Sequence, residues 1–340
     1  MYHGCGSDFS RGWIVALQAK GAAPRKQHYV PQFYLRKFTG AKDMLLVFDR
    51  EKKETYRSKP LGVAAQRDFN RIDVEGMDAN AVEKVLSEFE GETAPHLDRI
   101  IANKSIADQG DRSVMVNLMA AMTSRNPKRR QAMGEVIGNF AKNFFSRKEN
   151  YDKYVADMKK VGKEPEFTLE ELRSELTEST ITVRKESIIA AEIDQHDHTA
   201  KLLWDKKWQT VVAPDNSGGF VTTDDPVCIR WTDGQEHADR PGLAETNSEI
   251  LFPLSPKLAL RGRAEGDETV VNADAVAVAE INSHMIGNAT RQVYADDHVF
   301  KYARGQPQEL KSGATLLQDE DFMSAGKPAK DTKIVALKPV

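Results

Sequence analysis

The chain has 340 residues, a net charge of −3, 40% apolar and 29% charged residues, and a pI near 6.3. That length buries a core without disulfides or metals, and that charge excludes a surface wrapped throughout in nucleic acid, so an anionic partner needs a local basic patch. Two cysteines, Cys5 and Cys228, make no disulfide framework and no zinc spacing, and no apolar run approaches the roughly 20 residues of a bilayer span, which suits a cytoplasmic protein with no membrane partner.

Residues 1–24 read as a flexible leader, because the apolar run Trp13–Leu17 is shorter than a signal-peptide core. Residues 25–75 read as an N-terminal β element. The aromatic run "HYVPQFYLRKF" reads as a strand, and "MLLVFDR" with "ETYRS" as a hairpin around "DREKKE". "VAAQRDF" reads as a short turn or helix.

Residues 78–206 form a helical middle. Asp78 is placed to cap a helix carrying Val82, Val85, Leu86 and Phe89 at helical spacing, which Pro95 ends or kinks. "DRSVMVNLMAAMTS" is an apolar helix, and Pro127 breaks the chain near Arg125–Asn126. A long helix then runs to Val161 with Met133, Ile137, Phe140, Phe144 and Phe145 on its apolar face. Thr168 with Glu171 spells a capping box, and a last helix covers Val183 to Lys206.

Residues 207–304 turn β-rich, with strands at "WQTVVA", "FVTT", "VCIRW", "EILFPLSPKLALRG", "ETVVN", "RQVYA" and "HVFKY" and one helix over Asp274–Ala289. Residues 305–340 read as a loosely ordered tail in which "TKIVAL" can attach. The fold class is α+β, with an N-terminal β element, a helical middle and a mixed β-rich C-terminal part, in one composite domain over residues 25–304.

Several stretches carry chemistry. In "HYVPQFYL", His28 stands beside a proline that fixes the chain direction, as a general base or acid would; the alternative is a strand edge with a satisfied histidine. In "FVTTDDPV", Asp224 and Asp225 end a strand, where they can face a pocket or share a divalent cation; the alternative is an Asx-turn set by Pro226. In "TSRNPKRR", Lys128, Arg129 and Arg130 sit at a helix start and oppose its dipole, at roughly 0.3–1 kcal/mol each. An anionic partner such as nucleic acid offsets that cost, and a solvated face is the alternative.

Residues 101–161 carry twelve Lys/Arg against six Asp/Glu, which favours the basic patch. Glu83 and Glu90 are seven apart on one helix face, as paired carboxylates or as charged surface. Asp194 and His198, four apart, read as a solvated face rather than a metal pair, and His284 reads as structural. No phosphate-binding glycine loop, dinucleotide fingerprint or nucleophile elbow is present.

"QHYVPQFYLRKF", "LSEFEGETAPHLDRI", "TSRNPKRR", "FVTTDDPV", "ILFPLSPKLAL" and "INSHMIGNATRQVYA", in that order, resemble a bacterial domain family of unknown function. Its members open on a His-Tyr-x-Pro-x-Phe-Tyr-Leu segment and carry a helical Arg-x-Pro and a later Thr-Ser/Thr-Asp-x-Pro-Val. The resemblance marks His28, Tyr34, Glu90, Arg125, Thr223, Asp224, Asn282 and Arg291 as the recurring polar positions. Asp225 stands where members tolerate Asn, which favours Asp224 for chemistry.

The resulting expectation is a hydrolase or transferase acting on a phosphate-bearing substrate, a nucleic acid or nucleotide. His28, Asp224 and Glu90 form its catalytic set, with Arg125 as an anion clamp. Tyr34, Thr223, Asn282, Arg291, Lys128, Arg129 and Arg130 are its substrate contacts, and Asp224 and Asp225 the seat of a divalent cation. The alternative is a non-catalytic nucleic-acid- or protein-binding module in which the same residues are structural.

Overall fold

The computed structural model describes residues 25–160, 162–165, 167–178, 180–233, 237, 239–304, 309–324 and 334–335. The expected leader, residues 1–24, lies outside them, as does most of the stretch after 324. Where one composite domain was expected over residues 25–304, the contacts divide the described residues into two compact units. One comprises residues 25–126 and 192–324, the other residues 127–191 and 334–335.

The first unit opens with β1 (Lys26–His28), α1 (Gln32–Leu35) and a 3-10 turn over Arg36–Phe38. The aromatic run is therefore mostly helical rather than a strand. Pro31 supplies φ −58° at the helix start, and the Leu35 N–H donates to the Pro31 carbonyl at 3.1 Å. Tyr34, Leu35 and Phe38 turn inward at helical spacing and are 0% exposed. Each such side chain contributes about 1.5–3 kcal/mol through burial. The hairpin forms as expected from β2 (Leu45–Asp49) and β3 (Glu54–Ser58). "VAAQRDF" is neither turn nor helix: β4 (Ala65–Arg67) pairs antiparallel with β1.

Helix α2 (Ala81–Asn103) continues past Pro95 rather than ending there and closes on Lys104 in the left-handed region. Leu97 and Ile100, both 0% exposed, hold the segment beyond the proline, so packing outweighs the lost ladder bond. Asp78 accepts the Asn80 N–H at 2.9 Å, and Asn80 takes the cap position expected of Asp78. Helix α3 (Gln109–Ser124) starts on the Asp108 carboxylate, which accepts the Asp111 N–H.

The second unit holds α4 (Pro127–Phe145), α5 (Lys148–Lys160), α6 (Leu169–Glu178) and β5 (Thr180–Ile181). The single helix expected to reach Val161 is thus two, parted at Ser146–Arg147. The capping box is present: the Thr168 N–H and hydroxyl donate to Glu171 at 2.8 Å, and the Glu171 N–H donates back at 3.3 Å. The expected apolar face of α4 is open, with Phe140 68% and Phe144 42% exposed. The helix packs instead through Gly138, where a Cβ would stand 3.0 Å from the Ile181 carbonyl oxygen.

Helix α7 (Lys185–Trp204) returns the chain to the first unit. There follow β6 (Lys207–Val212), β7 (Thr222–Thr223), β8 (Cys228–Trp231), β9 (Ser248–Ser255), β10 (Leu258–Arg263), β11 (Val270–Asn272), α8 (Ala275–Asn288), β12 (Gln292–Ala295), β13 (Lys301–Arg304), β14 (Glu309–Ser312) and α9 (Glu320–Ser324). One sheet has the order β11-β6-β10-β9-β8, and another β3-β2-β12-β7. Both sheets separate two cores. Along β9, Ile250, Phe252 and Leu254 join the core of α1, α2 and α3, while Leu251 joins that of α8 and β12. Along β2, Leu45 and Val47 face the first core, Leu46 and Phe48 the second.

The fold is α+β, as its segregated runs suggest. The stretch read as a loose tail is built in over 309–324: β14 pairs with β13, and Leu316 and Phe322 are buried. Of "TKIVAL", Ile334–Val335 form β15, parallel to β5, and the remainder lies outside the described residues. Among the described residues no helix is long and apolar enough to cross a membrane.

Candidate functional site

Pro127 disfavours helical backbone at the residue before it, so α3 stops at Ser124 and the two side chains that follow are buried. Arg125 is 6% and Asn126 2% exposed. The Arg125 guanidinium donates to the His28 carbonyl at 3.3 Å, and the Asn126 amide donates to the Asp224 carbonyl at 2.9 Å. One dipeptide thus binds the N-terminal signature and the "TTDDP" segment to the end of α3.

Around Arg125 lies a cluster of carboxyls from α2. Glu83 and Glu90, two turns apart, share the face toward it. Burial pushes Glu90 up to about 7, against the pull of Arg125 and with a further push from Glu83. The Glu90 residue is partly exposed, and its carboxyl takes no hydrogen bond among the described residues. Burial also raises Glu83, while the Asn70 amide and Arg125 oppose that rise. Asn70 donates its side-chain amide to Glu83 at 2.9 Å, and its backbone N–H to the Gln27 Oε1 at 2.6 Å.

His196 of α7 also feels Arg125. Burial first, and then that cation, push its imidazole down to about 4, so it is neutral at physiological pH. Its Nε2 lies 3.0 Å from the Asn117 Oδ1, and the Asn117 amide nitrogen donates to the Ser113 carbonyl at 2.8 Å. With Asn117 oriented by Ser113, only an Nε2–H tautomer fits.

His28 itself presents its carbonyl, not its ring, to Arg125. Its ring faces the Pro60 and Leu61 backbones, its Nδ1 lies 3.5 Å from Gln32, and its Nε2 has no hydrogen-bond partner among the described residues. Burial lowers its pKa, and Lys26 and Arg36 add to that. No hydrogen bond joins the His28 ring to Asp224 among the described residues. Neighbours on a strand face opposite sides, and it is Gln27, not the His28 ring, that Asn70 links to Glu83.

Asp224 is 3% exposed, and its two carboxylate oxygens accept the Thr290 and Arg291 N–H groups at 2.8 Å each. Burial pushes it up to about 7, the neighbouring Asp225 adds to this, and the N–H groups of residues 290–292 oppose it. Asp225 faces Arg240 at 4.0 Å. The two carboxylates therefore point to separate partners rather than to a shared cation. Among the described residues no group of three or more His, Cys, Asp or Glu is placed to hold a metal ion.

Other expected substrate contacts are occupied internally. Tyr34 is 0% exposed and donates to the Pro253 carbonyl at 2.7 Å, with Thr222 Oγ1 also at 2.7 Å. Asn282, also 0% exposed, accepts the Val221 N–H at 3.0 Å and donates to the Gly219 and Lys301 carbonyls at 2.9 and 2.8 Å. Thr223 closes a turn on the Asp225 backbone at 2.7 and 3.1 Å. Arg291 grips Asp49 through Nε at 3.0 Å and Nη2 at 2.8 Å, and Glu51 at 3.1 Å. Tyr34, Asn282 and Thr223 thus spend their polar side-chain atoms inside the fold. Of the basic run on α4, Lys128 is exposed, Arg129 half-buried and Arg130 buried, so it is not one continuous open strip.

The sequence reading missed Gln27, Asn70, Asn117 and His196. A signal existed for His196, which shares a helical face with the buried Ile189, Ala200 and Leu203. For Gln27 and Asn70 there was none, since their role depends on the β1–β4 pairing.

The model of a family described as "Protein of unknown function (DUF4238)" matches residues 26–298, and the chain belongs to that family. The match spans both signature segments and every residue of the Arg125 cluster. No curated protein and no solved structure matches the chain.

Proposed function

We propose that Glu90 and Arg125 belong to an active site for hydrolysis or group transfer on a phosphate-bearing substrate, a nucleotide or nucleic acid, in the cytoplasm. Glu90 is its general acid or base, and Arg125 draws the anion. The observation that carries the reading is the partly exposed Glu90 carboxyl, without a hydrogen bond among the described residues, in the field of the buried Arg125; burial pushes it up to about 7. A group that titrates near working pH serves either direction of proton transfer. Glu83 keeps a second carboxyl close, and His196, neutral and locked in one tautomer, backs the cluster. In this reading Asp224 positions the backbone and His28 lends its carbonyl.

The test is turnover of phosphomonoesters, phosphodiesters, nucleotides and single-stranded RNA between pH 6 and 8. Glu90→Gln should abolish turnover without lowering the melting temperature, and Arg125→Lys should raise KM. Full activity in Glu90→Gln would sink the reading.

A second reading is a non-catalytic binding module. Its support is specific: Tyr34, Thr223, Asp224 and Asn282, four of the signature positions, spend their polar atoms inside the fold. It predicts that no substrate is turned over and that signature variants lose stability alone.

A further inference from the structure

We propose that the outward face of α4 binds an anionic lipid surface, lying along it with Val136, Phe140 and Phe144 inserted among the acyl chains and the flanking cations against the headgroups. This face lies in the second unit and needs neither Glu90 nor Arg125. Two glycines mark the packed side of the helix. A Cβ at Gly134 would stand 3.3 Å from the Ile188 side chain, and one at Gly138 3.0 Å from the Ile181 carbonyl oxygen. Val136 and Phe140 are each two residues from Gly138, roughly 200° round the helix, so they point away from that contact. Each is 68% exposed. Ala132 and Phe144 continue the row four residues to either side, both exposed, and the Phe140 and Phe144 ring centroids are 6.1 Å apart. The apolar side of an amphipathic helix thus faces out, and a continuous exposed patch of this kind marks an interaction site.

Charge says what covers it. Residues 127–148 carry six Lys/Arg against a single acidic residue, Glu135. Lys128, Arg147 and Lys148 are exposed and Lys142 is half-buried, and Lys142 and Arg147 form no ion pair among the described residues. These cations sit at both ends of the row, so a second copy laid on it in either direction would set cations against cations. Single-stranded nucleic acid would find ring faces for stacking at Phe140 and Phe144 and none at Ala132 and Val136. An anionic bilayer meets both parts: its acyl chains receive the aliphatic and aromatic row, and its headgroup anions face the cations. No described helix is long and apolar enough to cross a membrane, but a helix lying along a surface needs no such length, so the expectation of no membrane partner does not reach this face.

The experiment is flotation of the full chain with phosphatidylcholine vesicles, with and without phosphatidylserine. Val136→Ser with Phe140→Ser strips the row, and Lys142→Glu with Arg147→Glu reverses the flanking charge. All four positions are open or half-open to water, so both double variants should melt like the native chain. The native chain should bind vesicles containing phosphatidylserine about tenfold or more tighter than phosphatidylcholine alone, and each double variant should lose about tenfold or more of that affinity. Equal binding to both vesicles, binding to neither, or native-like binding by either double variant overturns the proposal. A dimer in sedimentation velocity, or binding of single-stranded RNA, that Val136→Ser with Phe140→Ser abolishes while no vesicle is bound also overturns it, and assigns the face to a second copy or to nucleic acid.

Discussion

Asn126 reaches across the fold to donate its side-chain amide to the Asp224 carbonyl at 2.9 Å, while the adjoining Arg125 donates to the His28 carbonyl at 3.3 Å. Two segments of the family signature are thus joined at the point where Pro127 ends α3. The join acts on backbone carbonyls, so it does not engage the His28 or Asp224 side chains.

Asn126→Ala leaves the buried Asp224 carbonyl without that donor. The expected cost is about 1–3 kcal/mol, read as a lower urea midpoint with an unchanged slope. A midpoint equal to the native one would show that the join carries no stability.

Glu90 makes stability fall as pH rises. Its carboxyl titrates near 7 in the folded chain against 4.5 for an ordinary glutamate, so the folded state holds the extra proton between those values. Glu90→Gln removes the penalty of ionising there. Its gain should be absent below pH 4.5, grow through the interval, and reach about 3 kcal/mol above pH 7. Urea unfolding at pH 4.5 and 8 checks this, and an equal effect at both values would contradict it.

Asp224→Ala removes the acceptor of two backbone N–H groups just after α8. Hydrogen exchange at the Thr290 and Arg291 amides should accelerate far more than at β9, and the global stability should drop by about 2–4 kcal/mol for two lost bonds. Native-like protection at both amides would show that Asp224 does not hold this turn.

His196 contributes with the opposite sign. Its folded pKa of about 4 lies below 6.5, so the unfolded chain binds the extra proton between them. The contribution is fully present above pH 6.5 and is lost as pH falls toward 4. Nitrogen NMR should find a single Nε2–H tautomer at pH 7 with no titration above pH 5. Asn117→Leu should relax that preference, since it removes the oxygen that selects the tautomer.

Local patterns in the chain were readable because they obey short-range rules. The β2–β3 hairpin follows from alternating runs around a charged turn, the Thr168–Glu171 box from its spacing, and the break at Arg125–Asn126 from Pro127. The reading of "HYVPQFYLRKF" as a strand failed for an equally physical reason. Aromatic density signals burial in either geometry, and Pro31 is at home at a helix start. Pro95 does not end its helix, since a long helix packed on both sides of it tolerates one missing bond.

The site divides along the same line. Glu83 and Glu90 sit two turns apart on α2, so the amino-acid sequence alone determined that they share a face, and Pro127 alone determined that Arg125 and Asn126 end a helix. Which face of β1 meets those carboxyls was decided only by pairing with β4, residues 65–67, and that pairing chose Gln27 over His28. The fate of Asp224 was likewise decided by the return of the chain at residues 290–292, whose N–H groups take up a carboxylate that composition left open to a metal, a proton or a turn. Contacts between residues separated by dozens to hundreds of positions leave no periodic trace, because nothing in the local chain depends on them until the fold has closed.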